Sequence, residues 1–346
     1  MSSLKTFSFV LEMINKAKIL TLLIGFLVWA CGCGNKTAES PYSGILDQAP
    51  YRALTDSIRD EPGKAELYFK RAVLLNQNEL IEPALADFNR AWTLHPEEKY
   101  ALGVSTIWLE KNPDSAIIFL DKALKQFPQS FLLQLGLARA YVAKNRLDEA
   151  LIICEQVLET NPGHVDVLKM KADLLDKKGN TEEAISTLEK AYQLTPYDVE
   201  LNYILALKYA ETKNSRVLRL CDSLIRKDSA GARGEPYYYK GIYYSNLGQR
   251  SAALEQFNQA IQRDFYLLDA YIEKGSILYD QKKFREALTV FQLANNISAT
   301  FPDAYYWMGK SQEALGQKAE AKLNYERALG LDKSFIKAKE AAERLR

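Results

Sequence analysis

The sequence predicts an all-α protein, an α-solenoid of about eight stacked helical hairpins. Two observations carry this prediction. Prolines recur in steps of 34, 32, 34 and 34 residues, at Pro62, Pro96, Pro128, Pro162 and Pro196, which indicates a repeated structural unit. Small residues also recur at fixed positions of that unit, and large residues recur at complementary positions.

Residues 1–30 are predicted to be a signal peptide. An apolar run of 12 residues ends at Ala30 and follows Lys16 and Lys18. A membrane span needs roughly 20 apolar residues to cross about 30 Å of hydrocarbon, so this run is short for one. The basic start, the short apolar core and the small residue before Cys31 resemble a bacterial lipoprotein signal. That resemblance implies a fatty-acid anchor, such as palmitate, on Cys31 at the start of the mature chain.

Three alternatives remain open for this segment. Cys33 could carry the lipid instead, translation could start at Met13 rather than Met1, or the apolar run could stay as an uncleaved membrane helix. Each of them puts the bulk of the chain outside the cytoplasm. We therefore expect a lipid-anchored protein of a bacterial cell envelope, at the outer membrane or the periplasmic face.

Two short segments precede the repeats. Residues 31–45 contain the lipidated cysteine and a stretch rich in Gly, Ser and other polar residues, which predicts a flexible tether. Residues 46–64 are predicted to form an N-terminal capping helix.

Eight repeat units are predicted over residues 65–335. With Pro96 taken as position 32, the units begin at Ala65, Glu97, Phe131, Val165, Val199, Gly234, Leu268 and Pro302. Position 8 is small in every unit: Ala72, Val104, Ala138, Ala172, Ala206, Gly241, Gly275 and Gly309. Position 24 is larger and apolar: Phe88, Leu120, Cys154, Leu188, Cys221, Phe257, Phe291 and Tyr325. This pattern predicts two amphipathic helices per unit, packed large residue against small.

The turn inside each hairpin is predicted at position 15. Gly179, Gly248 and Gly316 occupy it in three units, and Asn145 occupies it in another. These residue types best tolerate the left-handed backbone that ends many helices.

The pattern resembles the tetratricopeptide repeat family. The segment VLKMKADLLDKKGNTEEAISTLEKAYQLTP, residues 167–196, is a close fit to its small and large positions. The resemblance implies a right-handed superhelix whose concave side binds peptides. Residues 336–346, IKAKEAAERLR, are then expected to form the C-terminal capping helix.

The concave side would be lined by positions 2, 5, 9, 12 and 13 of the first helices. The apolar residues there are predicted to bind a partner protein or peptide: Phe69, Val73, Trp108, Leu132, Leu135, Tyr203, Leu207, Tyr238, Ile242, Ile272, Tyr279 and Tyr306. Two alternatives remain open for them, packing against neighbouring units and self-association. The fourth unit is an exception, with a charged set of Lys169, Asp173, Asp176 and Lys177.

No enzymatic chemistry is expected. The two histidines, His95 and His164, fall in predicted turns between units, and no catalytic or phosphate-binding motif is present. We expect no catalytic residues, no metal site, no cofactor and no small-molecule substrate. Cys154 and Cys221 are expected to be buried fillers, not a disulfide, because several helices would separate them.

Charge and motif content restrict the classes of partner that the chain is expected to bind. With 45 Lys plus Arg against 44 Asp plus Glu, the chain has no basic excess that would favour nucleic acid. Asp173 stands where peptide-clamping members of the family carry an Asn, so we expect no clamp of that kind for a terminal carboxylate. The hypothesis is a non-enzymatic, lipid-anchored interaction scaffold. The alternative is a permanent structural subunit or assembly factor of an envelope or secretion complex.

Overall fold

The structure, a computed structural model, describes residues 41–345, and all 19 regular elements within that range are α-helices. The predicted all-α class is confirmed. The signal peptide at 1–30, the lipidation site at Cys31 and the first ten residues of the tether lie outside the described residues. Within residues 41–345, no helix is both long enough and apolar enough to cross a membrane.

The helices form hairpins in the predicted order. Two helices precede the repeats, α1 Ser43–Leu46 and α2 Arg52–Asp60. The first four hairpins are α3 Ala65–Gln77 with α4 Ile81–Leu94, α5 Glu98–Lys111 with α6 Pro113–Leu124, α7 Phe131–Ala143 with α8 Leu147–Thr160, and α9 Val165–Lys177 with α10 Thr181–Leu194. The last four are α11 Val199–Glu211 with α12 Arg216–Lys227, α13 Glu235–Asn246 with α14 Arg250–Arg263, α15 Leu268–Asp280 with α16 Phe284–Ile297, and α17 Pro302–Ala314 with α18 Lys318–Leu331. Helix α19, Ile336–Arg344, ends the chain.

The segments flanking the repeats are helical in part. Helix α1 begins inside the segment predicted as tether, and its Leu46 is buried against the core. Helix α2 covers the middle of the predicted N-terminal capping segment. Helix α19 occupies the predicted C-terminal capping segment and buries Ala338, Ala341 and Ala342.

The chain divides into two compact bodies. The N-terminal body comprises the described residues up to 133, and the C-terminal body begins at residue 134. In the N-terminal body, Leu46, Leu75 and Phe88 belong to one apolar core that joins α1 to the first two hairpins. Burial of such side chains contributes about 1.5–3 kcal/mol each, so this core is the main support of the body.

A buried ion pair crosses the first hairpin. The guanidinium of Arg71 donates to both carboxylate oxygens of Asp87, over 2.6 and 2.8 Å, and to the hydroxyl oxygen of Thr55 over 2.9 Å. The Arg71 and Asp87 side chains are only 7% and 9% exposed. The pair therefore links α3 to α4 and, through Thr55, to α2 in a setting that excludes water.

Large side chains pack against small residues inside the C-terminal body, as the sequence predicts. A Cβ atom added to Gly241 would lie 2.5 Å from Cε1 of Phe257, well inside van der Waals contact. Gly275 stands in the same way against Phe291. The absence of a side chain at position 8 therefore lets the position 24 ring approach the backbone of the first helix.

The turn at position 15 is left-handed, as predicted. Gly179, Gly248 and Gly316 have φ of +83°, +72° and +83°, and Asn145 has φ of +55°. The residue after each left-handed position donates its N–H to a carbonyl five residues earlier, for example Asn180 to Leu175 over 2.9 Å. This pattern of a left-handed residue followed by a six-to-one hydrogen bond closes the first helix of the hairpin.

Three further units make the same turn with residues that the sequence did not single out. Glu79, Lys213 and Lys282 have φ of +59°, +57° and +61°, although their side chains disfavour that region by about 1–2 kcal/mol. The second unit differs, because only Asn112 separates α5 from α6 and the side chain of Asn112 caps α6 by accepting from the N–H of Ser115.

Both described cysteines have free thiols and are buried, as predicted. Burial raises the pKa of Cys154 to about 11 and that of Cys221 to about 12. Each thiol therefore stays protonated and acts as a small apolar filler.

Candidate binding surface

The twelve residues predicted to bind a partner all lie on first helices, and together they are called the first-helix surface here. Eleven are half-buried and Leu132 is exposed, at 49%. No member is fully buried. Each side chain therefore keeps some surface that a partner could cover, while the rest contacts the protein.

In the N-terminal body, the surface brings three predicted residues together. Phe69, Val73 and Trp108 pack against the same apolar core. The ring of Phe69 lies 5.1 Å from that of Tyr100, and the ammonium of Lys99 sits 5.5 Å from the Phe69 ring centre.

Leu132 lies at a separate shallow cavity. This cavity has a volume of about 360 Å³ and is also lined by Phe127 and Pro128. Leu132 therefore does not extend the patch formed by Phe69, Val73 and Trp108.

In the C-terminal body, Tyr203 is partly committed to internal contacts. Its ring lies 5.7 Å from that of Tyr239, and its hydroxyl donates to Glu235 over 3.4 Å. Burial, with the Glu235 charge as a smaller cause, raises the pKa of Tyr203 to about 12. The hydroxyl therefore remains a neutral donor at physiological pH.

Tyr238 and Ile242 are neighbours on α13. Both pack against the cluster that contains Phe257, and the rings of Tyr238 and Phe257 lie 5.9 Å apart. Ile272 and Tyr279, on α15, pack against the next cluster along the chain. The contact of Tyr238 with Phe257 lies within the sixth unit, whereas that of Tyr203 with Tyr239 joins the fifth and sixth units, as the alternative of packing between units expects. The predicted side chains stay partly exposed in both cases.

Tyr279 and Tyr306 line one cavity of about 470 Å³, called the terminal pocket here. Helix α15 contributes Tyr279, α17 contributes Tyr306 and Lys310, and α19 contributes Lys337 and Glu340. At this pocket, predicted residues of the C-terminal body lie beside charged side chains.

Lys310 lies among aromatic rings at this pocket. Its ammonium is 4.4 Å from the ring centre of Trp307, 4.9 Å from that of Tyr279 and 5.9 Å from that of Tyr306. The electron-rich ring faces attract the cation. Burial lowers the pKa of Lys310 from its usual value, because the rings replace part of its water.

Glu313 also lines the terminal pocket, but its carboxylate is already occupied. It accepts hydrogen bonds from the hydroxyl of Tyr325 over 2.8 Å and from the guanidinium of Arg344 over 2.8 and 3.0 Å. This set of bonds ties α19 to the last hairpin and cancels the charges of Glu313 and Arg344 within the pocket.

The sequence reasoning missed Lys310 and Glu313, although they occupy positions 9 and 12 of the eighth unit. The prediction selected only apolar residues at the surface-lining positions. A lysine placed between aromatic residues at those positions was the available signal. Lys337 and Arg344 could not be placed, because their position depends on how α19 packs.

Every member of the charged set of the fourth unit is paired, either within that unit or with the fifth unit. Asp173 pairs with Lys177 over 2.7 Å, Asp176 pairs with Lys208 over 2.8 Å, and Lys169 pairs with Glu200. Lys169, Asp173 and Asp176 line a cavity of about 270 Å³ whose apolar lining includes Leu188 and Ile204. Leu188 occupies position 24 of this unit, where four other units carry Phe or Tyr.

The histidines lie at turns, where the sequence predicts them. His95 follows α4, with its Nδ1 3.2 Å from a carboxylate oxygen of Glu97, and His164 directly precedes α9. Among residues 41–345, no group of His, Cys, Asp or Glu side chains has an arrangement that could hold a metal ion.

Comparison with known families identifies the repeat. Models described as tetratricopeptide repeat match residues 108–174 and, separately, 166–198, 234–266 and 302–335, and a model described as TPR repeat matches 275–316. The matches to 166–198, 234–266 and 302–335 coincide with the fourth, sixth and eighth predicted units. The chain contains tetratricopeptide repeats.

Relatives and solved structures agree with this assignment. The chain is 26% identical over 243 residues to interferon-induced protein with tetratricopeptide repeats 2 of Cricetulus griseus, covering 70% of this chain and 49% of that protein. It is 26% identical over 191 residues to anaphase-promoting complex subunit 7 of Arabidopsis thaliana, covering 53% and 34%. The chain thus spans half or less of the length of these relatives.

The fold has a solved counterpart in a tetratricopeptide repeat protein from Parabacteroides merdae. That structure matches with a TM-score of 0.57 and 20% identity, over 71% of this chain and 97% of the other. At this identity the match concerns the fold alone.

Proposed function

We propose that the chain is a non-enzymatic interaction scaffold, lipid-anchored in a bacterial cell envelope, that holds a partner protein or peptide on its first-helix surface. Tetratricopeptide repeats act as protein-interaction scaffolds, which supports the general class. The observation that carries the proposal for this chain is the row of half-exposed aromatic and aliphatic residues on first helices. Rigid aromatic rings provide contact area at small entropic cost, as binding surfaces require.

Photo-crosslinking in cells tests the surface. A photoreactive amino acid at Trp108 or Tyr238 should capture a partner. The same amino acid at Leu293 or Leu323, which are 46% and 49% exposed on second helices, should capture much less. Crosslinks that form only from the second-helix positions would refute the assignment of the surface.

The anchor rests on the resemblance of residues 1–31 to a lipoprotein signal. Labelled fatty acid should be incorporated into the protein, and Cys31→Ala should abolish the label while Cys33→Ala keeps it. Multiple acyl chains would hold the protein firmly at a membrane, and a tether would raise the local concentration of a bound partner there. Label lost only in Cys33→Ala would move the anchor by two residues without changing the proposed role.

A permanent structural subunit or assembly factor is the second candidate function. Large apolar side chains are exposed on second helices, including Ile118 at 73% and Ile152 at 52%, and these would be covered in a stable complex. One relative is by name a subunit of the anaphase-promoting complex. If purified protein aggregates unless co-expressed with another chain, and Ile118→Ser with Ile152→Ser restores a monomer, this candidate is favoured over a scaffold that exchanges partners.

A further inference from the structure

The terminal pocket offers hydrogen-bond donors without matching acceptors. Lys310, Lys337, Tyr279 and Tyr306 line it, and each side chain ends in a donor group. Within the part of the chain that the structure describes, none of the four donates a hydrogen bond or enters an ion pair. Four open donors in one cavity favour a group that has several acceptor oxygens.

The charge of the pocket favours an anion with a single negative charge. The carboxylate of Glu313 and the guanidinium of Arg344 neutralise each other. Lys310 and Lys337 then stand against Glu340, so the lining residues carry two positive charges against one negative, or +1, while Asp280 acts on Lys310 from outside the lining. One carboxylate would neutralise this excess, whereas a phosphate would overshoot it.

Lys310 would bind such an anion more strongly than an exposed lysine does. Its ammonium is half-buried among the rings of Tyr279, Tyr306 and Trp307, and this burial lowers its pKa although the charge of Asp280 acts in the opposite direction. A half-buried cation interacts more strongly with an arriving opposite charge than a fully hydrated cation does.

We propose that the terminal pocket binds an acidic side chain of a partner polypeptide, with its carboxylate between Lys310 and Lys337 and its apolar neighbours on the rings of Tyr279 and Tyr306. The proposal rests on the proposed scaffold function and names the chemistry of the partner segment. A side-chain carboxylate suits the site because Tyr279 and Tyr306 line the same cavity, and their rings can contact the apolar residues that flank the acidic residue in the partner chain.

Fluorescence anisotropy with a defined peptide tests the proposal. The probe is a short, fluorescein-labelled, acetylated and amidated peptide of alternating Glu and Leu, and the comparison peptide has Gln in place of Glu. Purified full-length protein should bind the Glu peptide at least about tenfold more tightly, since hydrogen bonds to charged groups contribute about 1.5–3 kcal/mol. Equal binding of the two peptides would overturn the proposal.

Variants on α19 separate the pocket from general attraction between charges. Lys337→Gln should weaken binding of the Glu peptide about threefold, as expected for an exposed charge pair. Lys339→Gln makes the same charge change on the same helix outside the pocket, and it should leave binding unchanged. Equal losses in the two variants would overturn the proposal.

Lys310→Met tests the half-buried cation. This substitution should weaken binding of the Glu peptide about tenfold or more, and the thermal unfolding curve should show that the variant is folded. If this variant does not fold, the comparison of Lys337→Gln with Lys339→Gln still decides the outcome.

Two competition results would overturn the assignment of the ligand. One is displacement of the Glu peptide by inorganic phosphate but not by glutarate at equal ionic strength. The other is binding that requires a free C terminus on the peptide. Failure of these peptide experiments while crosslinks from Tyr238 persist would refute the pocket and leave the scaffold function standing.

Discussion

The buried pair between Arg71 and Asp87 gives the sharpest test of the packing in the N-terminal body. Asp87→Ala removes two of the three hydrogen bonds of the Arg71 guanidinium and leaves only the one to Thr55. The guanidinium stays in a site where its side chain is 7% exposed, so its charge cannot be rehydrated without disturbing the core. Breaking a buried pair in this way costs about 3–5 kcal/mol in free energy of unfolding.

Urea unfolding followed by tryptophan fluorescence can measure this loss. Trp92 and Trp108 lie in the N-terminal body, and a Trp307→Phe background removes the described tryptophan of the C-terminal body. In a chain truncated to residues 31–346, which also removes Trp29, the midpoint and slope then report the N-terminal body.

A matched control is available on α2. Asp56 also pairs with an arginine, Arg59, over 2.8 Å, but those side chains are 57% and 54% exposed. Asp56→Ala should therefore change the free energy of unfolding by less than about 1 kcal/mol. The double variant Arg71→Met with Asp87→Leu should recover most of the stability, because no charge is then buried. An Asp87→Ala loss no larger than that of Asp56→Ala would refute the reasoning.

Four further outcomes are expected. Lys282→Gly should stabilise the C-terminal body by about 0.5–1 kcal/mol in thermal unfolding, because glycine relieves the left-handed backbone. Gly241→Ala should destabilise it by about 1–3 kcal/mol, since the new methyl meets Phe257, and an unchanged melting temperature would contradict the packing described. Cys221, with its pKa raised to about 12, should resist a thiol reagent at pH 8 until urea unfolds the protein. Burial raises the pKa of Glu273, so the free-energy cost of its ionised form in the folded protein grows as pH rises. Glu273→Gln should therefore stabilise the protein at pH 7 but not near pH 4, which urea titrations at both pH values can check.

The sequence predicted the fold closely because the helical hairpin restricts the size of the residues at fixed positions of the repeat. Gly241 opposite Phe257 and the left-handed Gly248 each reflect a local steric requirement that few residues satisfy. Lys213 and Lys282 adopt the same left-handed turn although their residue type does not indicate it. Their hydrogen-bond geometry outweighs the preference of the side chain, so residue type alone could not reveal them.

The candidate site could be predicted only in part. Apolar residues such as Tyr238 and Tyr279 were found because the repeat register fixes the side of the helix on which they lie. The placement of Lys310 among aromatic rings and the occupation of Glu313 by Arg344 depend on packing between α17, α18 and α19. The burial of Arg71 with Asp87 was missed for a similar reason, because periodicity assigns charged residues to solvent.

The left-handed turns also provide positions at which labels can be attached to the protein. Glu79, Lys213 and Lys282 are exposed, and each already bears the steric cost of a side chain in that conformation. A cysteine substituted at one of them would replace one strained side chain with another and add little new cost. Dyes attached there would mark individual hairpins for single-molecule distance measurements while the helices stay intact.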